Sequence, residues 1–201
     1  MLSLGHWVLC SACEQTVKWQ KRGLTDLQVA VNVSPSQLLS ANFEMSVMRC
    51  LEETGLEAKN LEIEITEEVL ASEHEVCFSV LDSLRQQGIS IAIDDFGTGY
   101  SSLSYLNKYP ISKLKIDRSF VTEIESNPNN HAIVSAIIAL SHNLGISVIA
   151  EGIETKEELA VLEKLDCEIG QGYYFSKPLE VKDFGEKYLP QDNILEINRY
   201  S

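Results

Sequence analysis

Positive charge is scarce in this chain: 16 Lys and Arg stand against 30 Asp and Glu, a formal net charge of −14 over 201 residues. That balance disfavours nonspecific adhesion to a nucleic-acid polymer or an anionic membrane, so an anionic ligand would need local help from cations. Cysteine is also sparse. The five thiols, Cys10, Cys13, Cys50, Cys77 and Cys167, make no even framework and lie mostly within apolar patterns, which argues for reduced core thiols and a cytoplasmic setting. Cys10 and Cys13 form a CxxC pair with no second pair and no histidine motif beside it. Packing on one helix face is therefore the expected role, ahead of zinc or redox chemistry. No run of about 18 apolar residues is present to span a membrane as a helix. Residues 1–10 lack the basic leading region of a signal peptide. No linker, repeat or low-complexity block divides the chain. With 44% hydrophobic residues, a single globular domain over 1–201 is expected, with no membrane contact of its own, though it can belong to a larger membrane-tethered protein.

What is present is an alternation of strand-like and helix-like segments. Strands are expected over 27–33, 61–66, 89–94, 113–116, 147–151 and 169–175, and helices over 5–20, 43–53, 73–87, 131–144 and 156–165. Ser72 with Glu75 and Thr155 with Glu158 have capping-box spacing, and Asn42 precedes another helix. Gly23, Gly55, Gly88 and Gly145 fall where helices should stop. One last helix is expected within 179–201. Repeated βα units of this kind imply an α/β fold around a mostly parallel sheet.

The most informative stretch is Ile89-Ser90-Ile91-Ala92-Ile93-Asp94-Asp95-Phe96-Gly97-Thr98-Gly99-Tyr100. Its isoleucines alternate and then end in two adjacent carboxylates and a glycine-rich turn. Two such carboxylates can begin an ordinary solvated turn, or they can share a hard cation through oxygen. Polar residues gather at the C-terminal end of every expected strand: Asn32 and Ser34, then Glu64, Thr66 and Glu67, then Asp94 and Asp95, then Lys115 and Asp117, then Glu151 and Glu154. Gln171 lies in the sixth. In a barrel of βα units that rim carries the active site. Glu64 and Glu151 also sit in otherwise apolar strands, where an unpaired carboxylate costs several kcal/mol.

With these residues in place the sequence resembles the EAL family of bacterial cyclic di-GMP phosphodiesterases, which use a modified TIM barrel. The motifs carrying the resemblance are Val31-Asn32-Val33-Ser34, Leu61-Glu62-Ile63-Glu64-Ile65-Thr66-Glu67, the Asp94 to Ser102 segment, Leu114-Lys115-Ile116-Asp117, Ala150-Glu151-Gly152-Ile153-Glu154-Thr155, and Gln171-Gly172-Tyr173-Tyr174-Phe175-Ser176-Lys177-Pro178. The resemblance implies that Asn32, Glu64, Asp94, Asp95 and Glu151 surround two Mg²⁺ or Mn²⁺ ions. It implies that Lys115, with Asp95 and Glu151, acts in catalysis, steadying the attacking water or a phosphate oxygen. Glu67 would anchor the loop over 96–102, while Glu154, Gln171 and Phe175 would lie near the cyclic di-GMP substrate. The implied product is linear pGpG.

One departure tempers the implication. The Glu-Ala-Leu motif for which the family is named occurs nowhere in the sequence, and with it go a metal-ligating glutamate and a phosphate-contacting arginine. Measured against a complete barrel of about 250 residues, the expectation is an N-terminally truncated, incomplete barrel with about six of eight strands. Its open edges, near Val31 and Tyr173, would invite homodimerisation, another covering association, or a rearrangement of the barrel. A site lacking one carboxylate would bind metal weakly and turn over slowly. The alternative expectation is an inactive module that binds cyclic di-GMP or a protein partner.

Overall fold

The computed structural model describes residues 4–71, 75–98 and 104–190. Six parallel strands form one sheet in chain order: β1 Val29–Asn32, β2 Leu61–Thr66, β3 Ser90–Phe96, β4 Lys113–Ile116, β5 Ser147–Ala150 and β6 Ile169–Gly170. The helices among the described residues are α1 Leu4–Gln20, α2 Pro35–Leu38, α3 Phe43–Thr54, α4 Glu67–Ala71, α5 Glu75–Gln86, α6 Ser104–Lys108, α7 Arg118–Val121, α8 Pro128–Asn143, α9 Lys156–Lys164 and α10 Val181–Tyr188. This is an α/β half-barrel of the TIM type. A sequential parallel order with right-handed crossovers puts the connecting helices on one face of the sheet.

Period-two alternation then sorts the side chains. Ile63, Ile65, Leu114 and Ile116 are fully buried and join Leu81 and Leu84 of α5 in the core. Glu62, Glu64, Lys113 and Lys115 lie on the opposite face of the same strands. All four of these charged chains are paired there: Lys113 Nζ is 2.7 Å from Glu62, and Lys115 Nζ is 2.8 Å from Glu64. The inner face of the half-barrel is thus built from layered ion pairs, and this is why glutamates stand in strands that otherwise read as core.

The expected strands are all present, with corrected bounds. The first begins at Val29 rather than residue 27. The sixth stops at Gly170 instead of running to 175, because the following backbone turns back on itself: Phe175 and Ser176 N–H donate to Gly172 O, and Tyr174 N–H to Ile153 O. The expected helix over 131–144 starts earlier, at Pro128, where the Asn127 side chain caps it by accepting from Asn129 and Asn130 N–H. The capping box at Thr155 and Glu158 forms as expected. Ser72 lies outside the described residues. Gly55 ends α3 in the left-handed region at φ 74°, where a Cβ would be strained.

Among the described residues β1 and β6 each have a single strand neighbour. The two ends of the half-barrel nevertheless meet through helices. The Trp19 ring of α1 packs on Phe184 of α10 with centroids 4.3 Å apart, and Phe184 stacks in turn on Tyr188. Pro190 closes against Gly23 at the end of the α1 turn.

Candidate functional site

The rim at the C-terminal ends of β2 to β5 converges on one ammonium. Lys115, only 3% exposed, projects from β4 and places Nζ 2.8 Å from Glu64 Oε1 on β2, 3.0 Å from Asp94 Oδ1 on β3 and 2.8 Å from Glu151 Oε1 just past β5. Burial pulls the Lys115 pKa down, but hydrogen bonds to Glu151, Glu64 and Asp94 outweigh it and leave the group firmly protonated. Glu151 shows the opposite outcome. Desolvation pushes its carboxyl up, with Asp94 and Glu64 adding repulsion, and the contact with Lys115 only partly opposes this.

Asp94 and Asp95 reach this rim together because β3 is irregular there. Ile93 pairs with Leu114 and Phe96 with Ile116, so β3 uses three steps where β4 uses two. Asp95 takes up the extra residue at φ 55°, a left-handed conformation that Asp tolerates better than most side chains. Strict alternation would have sent the two carboxylates to opposite faces. Instead, ligand atoms of Asp94, Asp95 and Glu151 lie within 4.8 Å of one another, a group able to hold a metal ion. Desolvation, followed by repulsion from Asp94 and Asp117, raises the Asp95 pKa.

The donor set fits a hard divalent cation. Glu64, Asp94, Asp95 and Glu151 supply four carboxylates against the single ammonium of Lys115, leaving three negative charges within the set. Asn32 stands in register with Glu64 at the end of β1, exposed, and lines a cavity of about 180 Å³ beneath α1 together with Gly5, His6 and Gln37.

The remaining expected residues surround this centre. Glu67 accepts the Gly97 N–H at 3.2 Å and so ties the turn after Asp95 to the start of α4. The rest of the expected loop, from residue 99 onward, lies outside the described residues. Glu154 pairs with Arg118 at 2.8 Å, across Gly152, whose φ of 71° and missing Cβ make room for the Arg118 chain. Gln171 is stitched to the rim by its backbone, donating to Ala150 O and accepting from Ile153 N–H. Phe175 is exposed and packs edge-on against Tyr174 with centroids 5.4 Å apart.

Two rim residues have architectural roles instead. Ser34 and Gln37 form a capping box that starts α2, with Pro35 at its first turn, and Asp117 caps α7 by accepting from Ser119 N–H. Sequence reasoning passed over Arg118, for which no motif gave a signal. It also treated Glu158 as a cap alone. That carboxylate, 5% exposed, accepts from Glu154, Thr155 and Glu123 N–H and holds the loop after β5 to the end of α7.

Residues 1–178 match the EAL domain family. The chain is 44% identical over 176 residues to the cyclic di-GMP phosphodiesterase NbdA of Pseudomonas aeruginosa, covering 88% of this chain and 22% of that protein. It is 37% identical over 188 residues to the cyclic di-GMP phosphodiesterase PdeR of Escherichia coli K12, covering 94% and 28%. It therefore spans about a quarter of the length of these relatives. The solved PaMucR phosphodiesterase in complex with c-di-GMP matches with a TM-score of 0.86 at 39% identity, over 90% of this chain and 73% of that one. With the family matched across most of the sequence and the parallel half-barrel carrying the acidic rim, the chain belongs to the EAL domain family.

Proposed function

We propose that this chain is a cyclic di-GMP phosphodiesterase domain that opens one phosphodiester to give linear pGpG, acting as one unit over 1–201. The observation that carries the reading is the convergence of Glu64, Asp94 and Glu151 on Lys115, with Asp95 brought to the same rim by the β3 bulge. Relatives named as cyclic di-GMP phosphodiesterases support the substrate.

Asn32, Glu64, Asp94, Asp95 and Glu151 would hold two Mg²⁺ or Mn²⁺ ions. Such ions, when bound, lower the pKa of water and neutralise the phosphoryl oxygens of an in-line displacement. The chain's own groups do the rest. Lys115 keeps its proton; its three N–H bonds are taken by Glu64, Asp94 and Glu151 in the ion-free protein, so it would reach a phosphate oxygen or the attacking water once bound ions drew one of those carboxylates away. Asp95 and Glu151, on the rim beside Lys115, would face the attacking water and accept its proton. Glu67 holds the turn at Gly97 closed against the rim. Glu154, Gln171 and Phe175 line the approach for the dinucleotide, and the Arg118 paired with Glu154 adds a cation beside it.

The reading includes association of two chains. Strands β1 and β6, each with one strand neighbour among the described residues, together with exposed Leu4, Trp7 and Val8 on α1 and exposed Ile169 on β6, support a homodimer that covers the sheet edges. Sedimentation across a concentration series should give a dimer; a monomer at every concentration refutes that part.

The function is tested by incubating the purified chain and cyclic di-GMP with Mg²⁺ or Mn²⁺, separating products by chromatography, and running Asp94→Asn alongside. Appearance of pGpG that is lost in the variant supports the phosphodiesterase. Tight binding of cyclic di-GMP by calorimetry without product would instead identify an inactive binding module.

A further inference from the structure

Strand β4, which carries Lys115, runs into the single turn of α7 with only Asp117 between them. The sheet order β3-β4-β5 fixes what α7 meets: segments leaving the C-terminal ends of parallel strands share one rim, so α7 stands between the turns after β3 and β5. Two glycines with left-handed backbone face it from either side, Gly97 at φ 98° after Asp95 and Gly152 at φ 71° after Glu151. Each meets an α7 side chain at close quarters. A Cβ on Gly97 would stand 2.9 Å from Phe120 Cε2, and one on Gly152 would overlap Arg118 Cβ, Cγ and Cδ. The two turns that deliver Asp94, Asp95 and Glu151 are thus packed against one short helix.

A lone helical turn does not hold itself in water, and side chains around α7 hold it instead. Asp117 caps its start by accepting Ser119 N–H at 3.0 Å. The Asn130 amide of α8 donates to Ser119 O at 3.1 Å and to Thr122 O at 3.2 Å. Glu158 of α9 accepts at 3.2 Å from the N–H of Glu123, where the chain leaves α7 at φ 57°. The same carboxylate accepts from Glu154 and Thr155 N–H at 2.8 and 3.0 Å, so α7 and the turn after β5 share one brace. On the other side of β3, Glu67 accepts from Gly97 N–H. The Asp95 turn is therefore gripped between Glu67 and the Phe120 ring.

We propose that α7 is the spacer that holds the Asp94–Asp95 turn and the Glu151 turn at the separation a divalent ion needs, with Phe120 and Arg118 as its positioning residues. The inference rests on the rim being a divalent-metal site. Ligand bonds to a metal are met within about 0.2 Å, so a slack turn costs affinity even when every carboxylate remains. Phe120 supplies no ligand atom and acts only through the turn it abuts. Arg118 divides its tasks: its stem packs on Gly152, while its guanidinium pairs with Glu154 at 2.8 Å. Spacing and charge can therefore be removed separately at that residue.

The test is Mn²⁺ titration of the full chain by calorimetry, beside thermal melts in chelator that report the metal-free fold. Phe120→Leu keeps an apolar side chain against the core but withdraws the ring from Gly97, and should weaken Mn²⁺ binding by about 10- to 100-fold. Phe78→Leu, at a half-buried ring of α5 that packs on Tyr109 instead, should lower the metal-free melt in the same way and leave Mn²⁺ affinity at the wild-type value. Arg118→Met retains the stem and should keep that affinity while raising KM for cyclic di-GMP. Arg118→Ala removes the stem too and should weaken Mn²⁺ binding by about 10-fold. Wild-type Mn²⁺ affinity in both Phe120→Leu and Arg118→Ala would overturn the spacer alone, and so would an Arg118→Met that loses as much affinity as Arg118→Ala, since charge would then be responsible. A wild-type chain that takes up no Mn²⁺ would overturn the metal reading of the rim and the spacer with it.

Discussion

Replacing Lys115 with Met removes the ammonium and keeps the length of the chain, so it isolates the charge. In the native protein three carboxylates converge on Nζ at 2.8, 3.0 and 2.8 Å in a setting where Lys115 is 3% exposed and Glu64 6% exposed. Breaking a buried ion pair by deleting one partner costs about 3–5 kcal/mol, because the other charge stays buried without compensation. The Lys115→Met variant should therefore lose about that much stability near pH 7 in urea unfolding without divalent metal. The sign of the pH dependence follows from the shifts. The native Lys115 pKa is raised, so its contribution is complete below the unfolded value and is lost only as pH rises through the folded one. At neutral pH the native reference is flat for this group. In the variant, Glu151 loses the one contact that opposed its upward shift. Its folded pKa rises further, and protonation relieves the buried charge as pH falls.

The deficit should consequently shrink between about pH 7 and pH 5, and Mg²⁺ or Mn²⁺ should also reduce it, by supplying the missing positive charge. Turnover of cyclic di-GMP should fall by roughly 10²- to 10³-fold, the range for deleting one group that stabilises charge in the transition state. A deficit below about 1 kcal/mol at neutral pH, or one equal at both pH values, would refute the view that Lys115 is the counter-ion of the rim.

Asp95→Asn should keep the left-handed bulge, which Asn tolerates, and should stabilise the metal-free protein at neutral pH: the raised pKa of Asp95 means its ionisation weakens the fold as pH rises through that value. Thermal melts with and without Mg²⁺ check this, and an unchanged metal-induced stabilisation would argue against ligation by Asp95. Glu158→Ala strips the acceptor from three backbone N–H groups and should cost about 2–3 kcal/mol in chemical denaturation. Backbone hydrogen bonds, overcoming desolvation, hold the Glu158 pKa down, so its contribution is present above the unfolded carboxylate pKa and disappears as pH falls through the folded one. Gly152→Ala sets a Cβ 2.3 Å from Arg118 Cγ at φ 71° and should destabilise by about 1–3 kcal/mol while raising KM through the displaced Arg118–Glu154 pair; wild-type stability and kinetics would defeat that expectation.

Strand existence and order were legible because parallel strands covered on both faces keep long apolar patterns, as Ile89 to Ile93 do. Strand ends were less so. The segment after Gly170 contains aromatic residues that read as strand, yet its backbone folds back on Gly172, and nothing in the alternation of Tyr173, Tyr174 and Phe175 betrays that turn. Short helices escaped notice for another reason. Ser34-Pro35-Ser36-Gln37 has both the Pro at the first turn and the capping-box spacing, but Ser34 also ends a strand whose neighbour is Asn32, and the rim reading claimed it first. The contact of α1 with α3 could not be read at all: Ser46 stands 40 residues from His6, and only the packing of the two helices brings them together.

The adjacency of Asp94 and Asp95 is the feature whose meaning changes most between sequence and fold. Neighbouring residues on a regular strand face opposite sides, so two consecutive carboxylates are, by alternation, a poor way to build one site. The bulge reverses that conclusion: one extra residue in β3, absorbed at Asp95, lets a single strand end offer both carboxylates to the rim that Glu151 shares. Three acids so close would repel one another in the folded chain. Lys115 offsets part of that repulsion from within the sheet through Glu64, Asp94 and Glu151, while Asp95 and Glu151 stay raised, first by desolvation and then by the neighbouring carboxylates. The rim is therefore stable enough to fold around its own internal cation while retaining enough excess negative charge to favour added divalent ions. Removing the bulge, by deleting Asp95, should leave the sheet paired and the core intact but abolish metal-dependent stabilisation.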